Sequence, residues 1–131
     1  MRRIPVNPWQ WSLSLAYNQA ELLQAPERVL VCAGQAAVDA DGRPQHRGDM
    51  AAQLALAADN LQAVLVAASM GLADVVDLTL YTTDVDALLT HYGVLAERLG
   101  KAGATPPSTL VGVTRLARTE LMVEIQATAA Q

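Results

Sequence analysis

The period of the hydrophobic pattern switches repeatedly along this chain, and the order of the switches limits the folds open to it. From Trp11 to Tyr17 apolar and polar residues alternate (Trp11, Leu13, Leu15 and Tyr17 against Ser12, Ser14 and Ala16), the period of a half-buried strand. After a loop carrying Pro26, the run Val29–Ala33 predicts a strand buried on both faces, and Asp39-Ala40-Asp41-Gly42 predicts a turn. These two strands are expected to form a hairpin. From Asp49 the period becomes helical: Met50, Leu54, Ala57, Leu61, Val64/Leu65 and Ala68 recur on one face, with Asp49 as N-cap and Gly71 past the end. Val75–Thr83, rich in Val, Leu, Thr and Tyr, predicts a strand. Asp84 or Asp86 then caps a second helix whose Leu88, Tyr92, Leu95 and Leu99 share a face until Gly100 and Gly103. Two strands close the chain, Thr109–Thr114 after Pro106-Pro107, and Leu121–Ala129.

The resulting order, two strands, helix, strand, helix, two strands, predicts an α+β fold with a mixed β-sheet, because each strand-helix-strand passage favours a right-handed crossover into parallel pairing. Two helices cover only one face of a sheet with five or more strands. The other face needs another cover, and a second copy of the chain is the simplest. A homo-oligomer is therefore expected, built from a single domain over residues 1–131 with residues 1–10 as an N-terminal extension.

Composition narrows the function classes. The chain is 52% hydrophobic and 17% charged, which is incompatible with disorder, and no run approaches the roughly 18 apolar residues of a membrane span. After Arg2 and Arg3 the segment Ile4-Pro5-Val6-Asn7-Pro8 interrupts any signal-peptide core, so a cytoplasmic protein with no membrane association is expected. A net charge of -4 without a Lys/Arg cluster argues against nucleic-acid binding. With one cysteine and two histidines, neither a disulfide framework nor a His/Cys metal site is expected. No cofactor-binding motif occurs either: Gly93–Lys101 has the wrong spacing for a phosphate loop, and no glycine-rich nucleotide fingerprint is present. Cys32 reads as a small buried hydrophobe, since His46 and His91 are both remote in sequence.

The last strand carries the candidate chemistry. Alternation places Leu121, Val123, Ile125 and Ala127 on one face, and Met122, Glu124, Gln126 and Thr128 on the other. A carboxylate in mid-strand among apolar neighbours loses solvation, which suits Glu124 to general acid–base work. The bland alternative is an exposed glutamate at an open edge, or one paired with an arginine across an interface.

Seven segments, in order, resemble the RidA/YjgF family from about Tyr17 to Ala129. They are Tyr17-Asn18-Gln19-Ala20; Val31-Cys32-Ala33-Gly34-Gln35; Gln53 with Asn60-Leu61; Gly71-Leu72-Ala73-Asp74-Val75-Val76; Thr79-Leu80-Tyr81-Thr82-Thr83-Asp84; Val113-Thr114-Arg115-Leu116; and Val123-Glu124-Ile125-Gln126-Ala127. The resemblance implies a chorismate-mutase-like fold in which three subunits join their sheets into a central barrel, with a small-molecule ligand in each intersubunit cleft. It implies cofactor-independent hydrolysis of reactive imines or enamines to ammonia and a keto acid. By the same resemblance Glu124 matches the glutamate that positions the attacking water, Tyr17 a pocket tyrosine, and Gly34 a glycine at which the backbone approaches the ligand.

The departures from the family pattern lie in that pocket. The arginine that clamps a substrate carboxylate is Ser108 here, followed by Thr109, and a hydroxyl cannot make the two charge-assisted bonds of a guanidinium. Arg115 falls an odd number of residues away, on the opposite face, which leaves Arg2, Arg3 and Arg118 as cations that could reach the position. Leu110 stands where a cysteine is common, Ala33 where a serine is, and Tyr92 where an asparagine is. The pocket is thus less polar or bulkier. The resemblance then implies a hydrolase or deaminase acting on an imine, enamine or related metabolite other than a simple imino acid. The alternative is a non-catalytic trimer that binds a metabolite or partner in the same cleft.

Overall fold

The computed structural model describes residues 1–131. Its main sheet comprises β3 (Val29–Val31), β4 (Gln35–Ala36), β5 (Val75–Thr82), β6 (Ser108–Gly112) and β7 (Val123–Ala130). Strand β7 is central: β3 and β4 pair with it in turn along one side, and β5 pairs with it on the other, all antiparallel. Strand β6 adds parallel to β5, so the sheet is mixed. A separate ribbon joins β1 (Arg2–Val6) antiparallel to β2 (Ala20–Gln24).

Three helices, α1 (Met50–Ala67), α2 (Val85–His91) and α3 (Gly93–Lys101), accompany this sheet. Helix α1 begins where Asp49 accepts a bond from the Ala52 amide (3.0 Å), and it buries Leu54, Ala57, Leu61 and Leu65 at helical spacing. These side chains share one core with Leu78 and Leu80 of β5 and with Val123, Ile125, Ala127 and Ala129 of β7. Although α1 is long and apolar enough to cross a membrane, its fully buried leucines make it the core helix of this fold. The alternate residues of β7, Glu124, Gln126 and Thr128, point away from α1 as the period requires.

Four expectations need correction. Trp11–Leu15 is a 3-10 turn, not a strand, and it ends at Ala16 in the left-handed region (φ 61°), which reverses the chain before Tyr17. Its apolar side chains are not one face of a sheet: Trp11, Leu13 and Leu15 are 59, 44 and 58% exposed. The expected hairpin is consequently absent, and the ribbon partner of β2 is β1, from the segment read as an extension. Strand β3 is not buried on both faces either: Leu30 packs on the core, whereas Val29 and Val31 stand on the face opposite the helices, 58% and 75% exposed. The second helix is broken in two at Tyr92, whose amide reaches Leu89 O (3.4 Å) in an i to i−3 bond. Leu88, Leu95 and Leu99 still face the core across the break, which is why their spacing reads as one helix.

Candidate functional site

The residues singled out in the sequence fall into two groups. Tyr17, Tyr92, Ser108, Thr109 and Leu110 line one cavity of about 540 Å³ between β5–β6 and α2–α3, with the 3-10 turn at its rim. Ala33, Gly34 and Glu124 are not among its walls.

Register explains the separation. In the parallel β5–β6 pair Ser108 lies beside Leu78 and Leu110 beside Leu80, so both share the helix-covered face with those buried leucines. Glu124 lies beside Tyr81, one residue on from Leu80, and therefore on the open face. The same open face carries Val31, which pairs with Thr128.

Glu124 is half-buried and makes no ion pair or side-chain hydrogen bond within the chain. Its neighbour across the ladder is Ala36, and its carboxyl group lies against Gly34: a Cβ there would come 2.7 Å from Glu124 Cδ and 2.9 Å from Cγ. Only glycine leaves the carboxylate that position. Two amides of α1 hold the surrounding backbone. Gln53, fully buried, donates to Glu120 O (2.7 Å) and His46 O (3.3 Å) and accepts from Met122 N (2.7 Å). Asn60, two turns along, donates to Ala36 O (2.8 Å) and Val38 O (3.0 Å). Nearby, Tyr81 donates to Gln126 Oε1 (2.9 Å).

The cavity group has a different chemistry. Ser108 donates to Pro106 O (2.8 Å), so its hydroxyl proton is turned back onto the chain. Tyr17 is braced by an edge-on contact with Trp11 (ring centroids 6.1 Å). Burial, with a smaller contribution from Tyr17 beside it, pushes the Tyr92 phenol above its ordinary value. No arginine or lysine lines the cavity. Arg3 in particular is committed to Glu21 (2.7 Å) and to the carbonyls of Ala73 and Val75, where it pins β1 to the start of β5. Cys32 is buried away from this group, and burial raises its thiol above the ordinary value, the opposite of what a nucleophilic thiolate needs.

Sequence reasoning missed Leu15, Leu89 and Ala96 as cavity walls. Leu89 is 58% exposed and off the core stripe of α2, so periodicity reads it as a surface leucine. The Gln53 and Asn60 amides were visible as polar residues within an apolar helix, but their partners depend on the tertiary fold.

A mixed sheet with helices on one face, a glycine-seated carboxylate on the other and a cavity beside its parallel pair define a class of small α+β proteins. The Endoribonuclease L-PSP family model matches residues 12–131. The chain is 32% identical over 97 residues to the RutC family protein YjgH of Escherichia coli, covering 74% of this chain and 72% of YjgH. A crystal structure of YyfB from Yersinia pestis, a Rid-family protein, superposes with a TM-score of 0.85 at 32% identity over the whole of both chains. Escherichia coli TdcF with bound serine superposes with a TM-score of 0.71 at 26% identity, over 88% of this chain and 87% of TdcF. The chain belongs to the RidA/YjgF family.

Proposed function

We propose that this protein is a cofactor-independent hydrolase of an imine, enamine or related small metabolite that lacks a carboxylate, and that its site forms between copies of the chain in a homotrimer. The observation that carries this reading is Glu124, a carboxylate seated on Gly34 with no partner in its own chain. A carboxylate free of cations can orient a water molecule and accept its proton.

The separation of Glu124 from the cavity supports assembly. The two groups occupy opposite faces of the sheet, and the open face, with exposed valines on β3, has no cover within the chain. A neighbouring copy that covers this face can bring its own cavity towards Glu124, and a ring of three satisfies every copy equally.

In the reaction, the water oxygen bonds to the carbon of a neutral imine while one water proton passes to Glu124 and a solvent proton is taken up at nitrogen. The C=N π pair settles on nitrogen. Glu124 then returns the proton to nitrogen, the C–N bond breaks with its electron pair leaving on ammonia, and the remaining hydroxyl loses its proton to solvent as the carbonyl forms. The second half-site departs from a carboxylate clamp: TdcF is described with serine, an amino acid, whereas Ser108 and its neighbours here offer no cation.

Ammonia release from freshly generated imines, with and without a carboxylate, tests the reading in the native protein and in Glu124→Gln. Turnover of the set lacking a carboxylate, lost in the variant, is expected. Absence of turnover on both sets would favour a trimer that binds a metabolite or partner without catalysis.

A further inference from the structure

We infer that the ligand of this cleft is an uncharged molecule with an apolar, aromatic-sized body, seated between the Trp11–Leu15 turn and the α2–α3 break and oriented by the hydroxyls of Tyr17 and Tyr92. The inference rests on reading the cavity as part of the ligand site, and it adds the chemical class of what enters.

The cavity, about 540 Å³, is in the range that encloses a small organic molecule. No charged side chain lines it. Its body is built by Leu15, Leu80, Leu89, Leu110 and Ala96, and its polar groups are hydroxyls. A ligand carboxylate placed here would lose its hydration and find no cation, so it would be excluded. The Ser108 hydroxyl offers little relief, since its proton is engaged by Pro106 O. Ser14 likewise donates to Trp11 O and Thr109 is exposed, which leaves Tyr17 and Tyr92 as donors to a carbonyl, imine or hydroxyl of the ligand. The half-buried Tyr92 phenol stays protonated, and hence a donor, past its ordinary titration range. Leu15 and Leu89, each 58% exposed, gain a reason for their position if an apolar body packs against them.

A matched pair of ketones decides the question by calorimetry on the full chain. Phenylacetone and phenylpyruvate share a phenyl ring and a carbonyl, and differ in carrying a methyl or a carboxylate. Phenylacetone is expected to bind at least about tenfold tighter. Ala96→Phe, which fills the cavity, and Leu89→Asp, which adds a charge at an exposed position without crowding, should each weaken it by about tenfold or more. Ser108→Arg should reverse the preference towards phenylpyruvate. Equal affinities, tighter phenylpyruvate binding to the native chain, or no binding of either ketone would overturn the inference. Turnover plays no part in this assay. A chain that binds phenylacetone but hydrolyses no imine would refute the proposed reaction and leave this inference standing.

Discussion

Glu124 rests its carboxyl group on the α-carbon of Gly34, across the ladder formed by β4 and β7, so closely that a methyl group at Gly34 would occupy the same space. Gly34 does not adopt a left-handed backbone, so alanine there meets no conformational barrier. The conflict is with the end of a flexible side chain, which can swing away. Gly34→Ala is therefore expected to leave the unfolding midpoint nearly unchanged while displacing Glu124. The loss in kcat/KM should approach that of removing a general base, about 10²-fold or more. Steady-state kinetics and thermal unfolding on the same variant check this. A variant that unfolds early with full specific activity would show that the contact is structural only.

Gln53 closes three hydrogen bonds in a fully buried setting and joins α1 to the segment entering β7. Gln53→Ala would leave the Met122 amide and the Glu120 carbonyl without these partners in a part-buried setting. We expect a loss of about 2–4 kcal/mol in urea unfolding, because a buried unsatisfied group costs about 1–3 kcal/mol. The Asp49 cap is simpler, one exposed bond to Ala52 N, and Asp49→Ala should cost about 1 kcal/mol. The ordering of the two losses is the informative result, since it separates tertiary clasping from local helix capping.

At alkaline pH, Tyr92 makes a prediction with a definite sign. Its phenol titrates higher in the folded chain than its ordinary value of 10.0, because burial disfavours the phenolate. The folded state therefore holds its proton longer than the unfolded state. The associated stability is fully present below pH 10.0 and is lost as pH rises through the folded value. Unfolding free energy measured from pH 8 upward should fall in that window, and Tyr92→Phe should flatten part of the fall. An identical alkaline slope in the variant would mean that other groups carry it.

Much of this fold was legible in the sequence because its longest elements combine a clear period with a cap. Asp49, the Leu54–Leu65 stripe and the alternation through Glu124 mark α1 and β7 closely. Alternation failed at Trp11–Leu15, because a single 3-10 turn presents the same short pattern while leaving its apolar side chains in solvent. Strand β1 escaped notice since Pro5 interrupts its pattern, yet an edge of a two-stranded ribbon tolerates a proline. The site was legible as a set of residue types. Its division was not, because the face on which Ser108 stands relative to Glu124 follows from the registers of β5 with β6 and with β7, which no local pattern encodes.

That division makes the central claim directly measurable through hybrid oligomers. Glu124→Gln keeps the cavity intact, and Ala96→Phe keeps Glu124 intact, so each homogeneous variant should hydrolyse carboxylate-free imines poorly. If a site joins the cavity of one copy to Glu124 of its neighbour, equal co-assembly of the two chains should restore about a quarter of the native rate, the chance that adjoining copies supply both intact halves around a closed ring. Ammonia release from the mixture that stays at the level of the separate variants would contradict a site shared between copies.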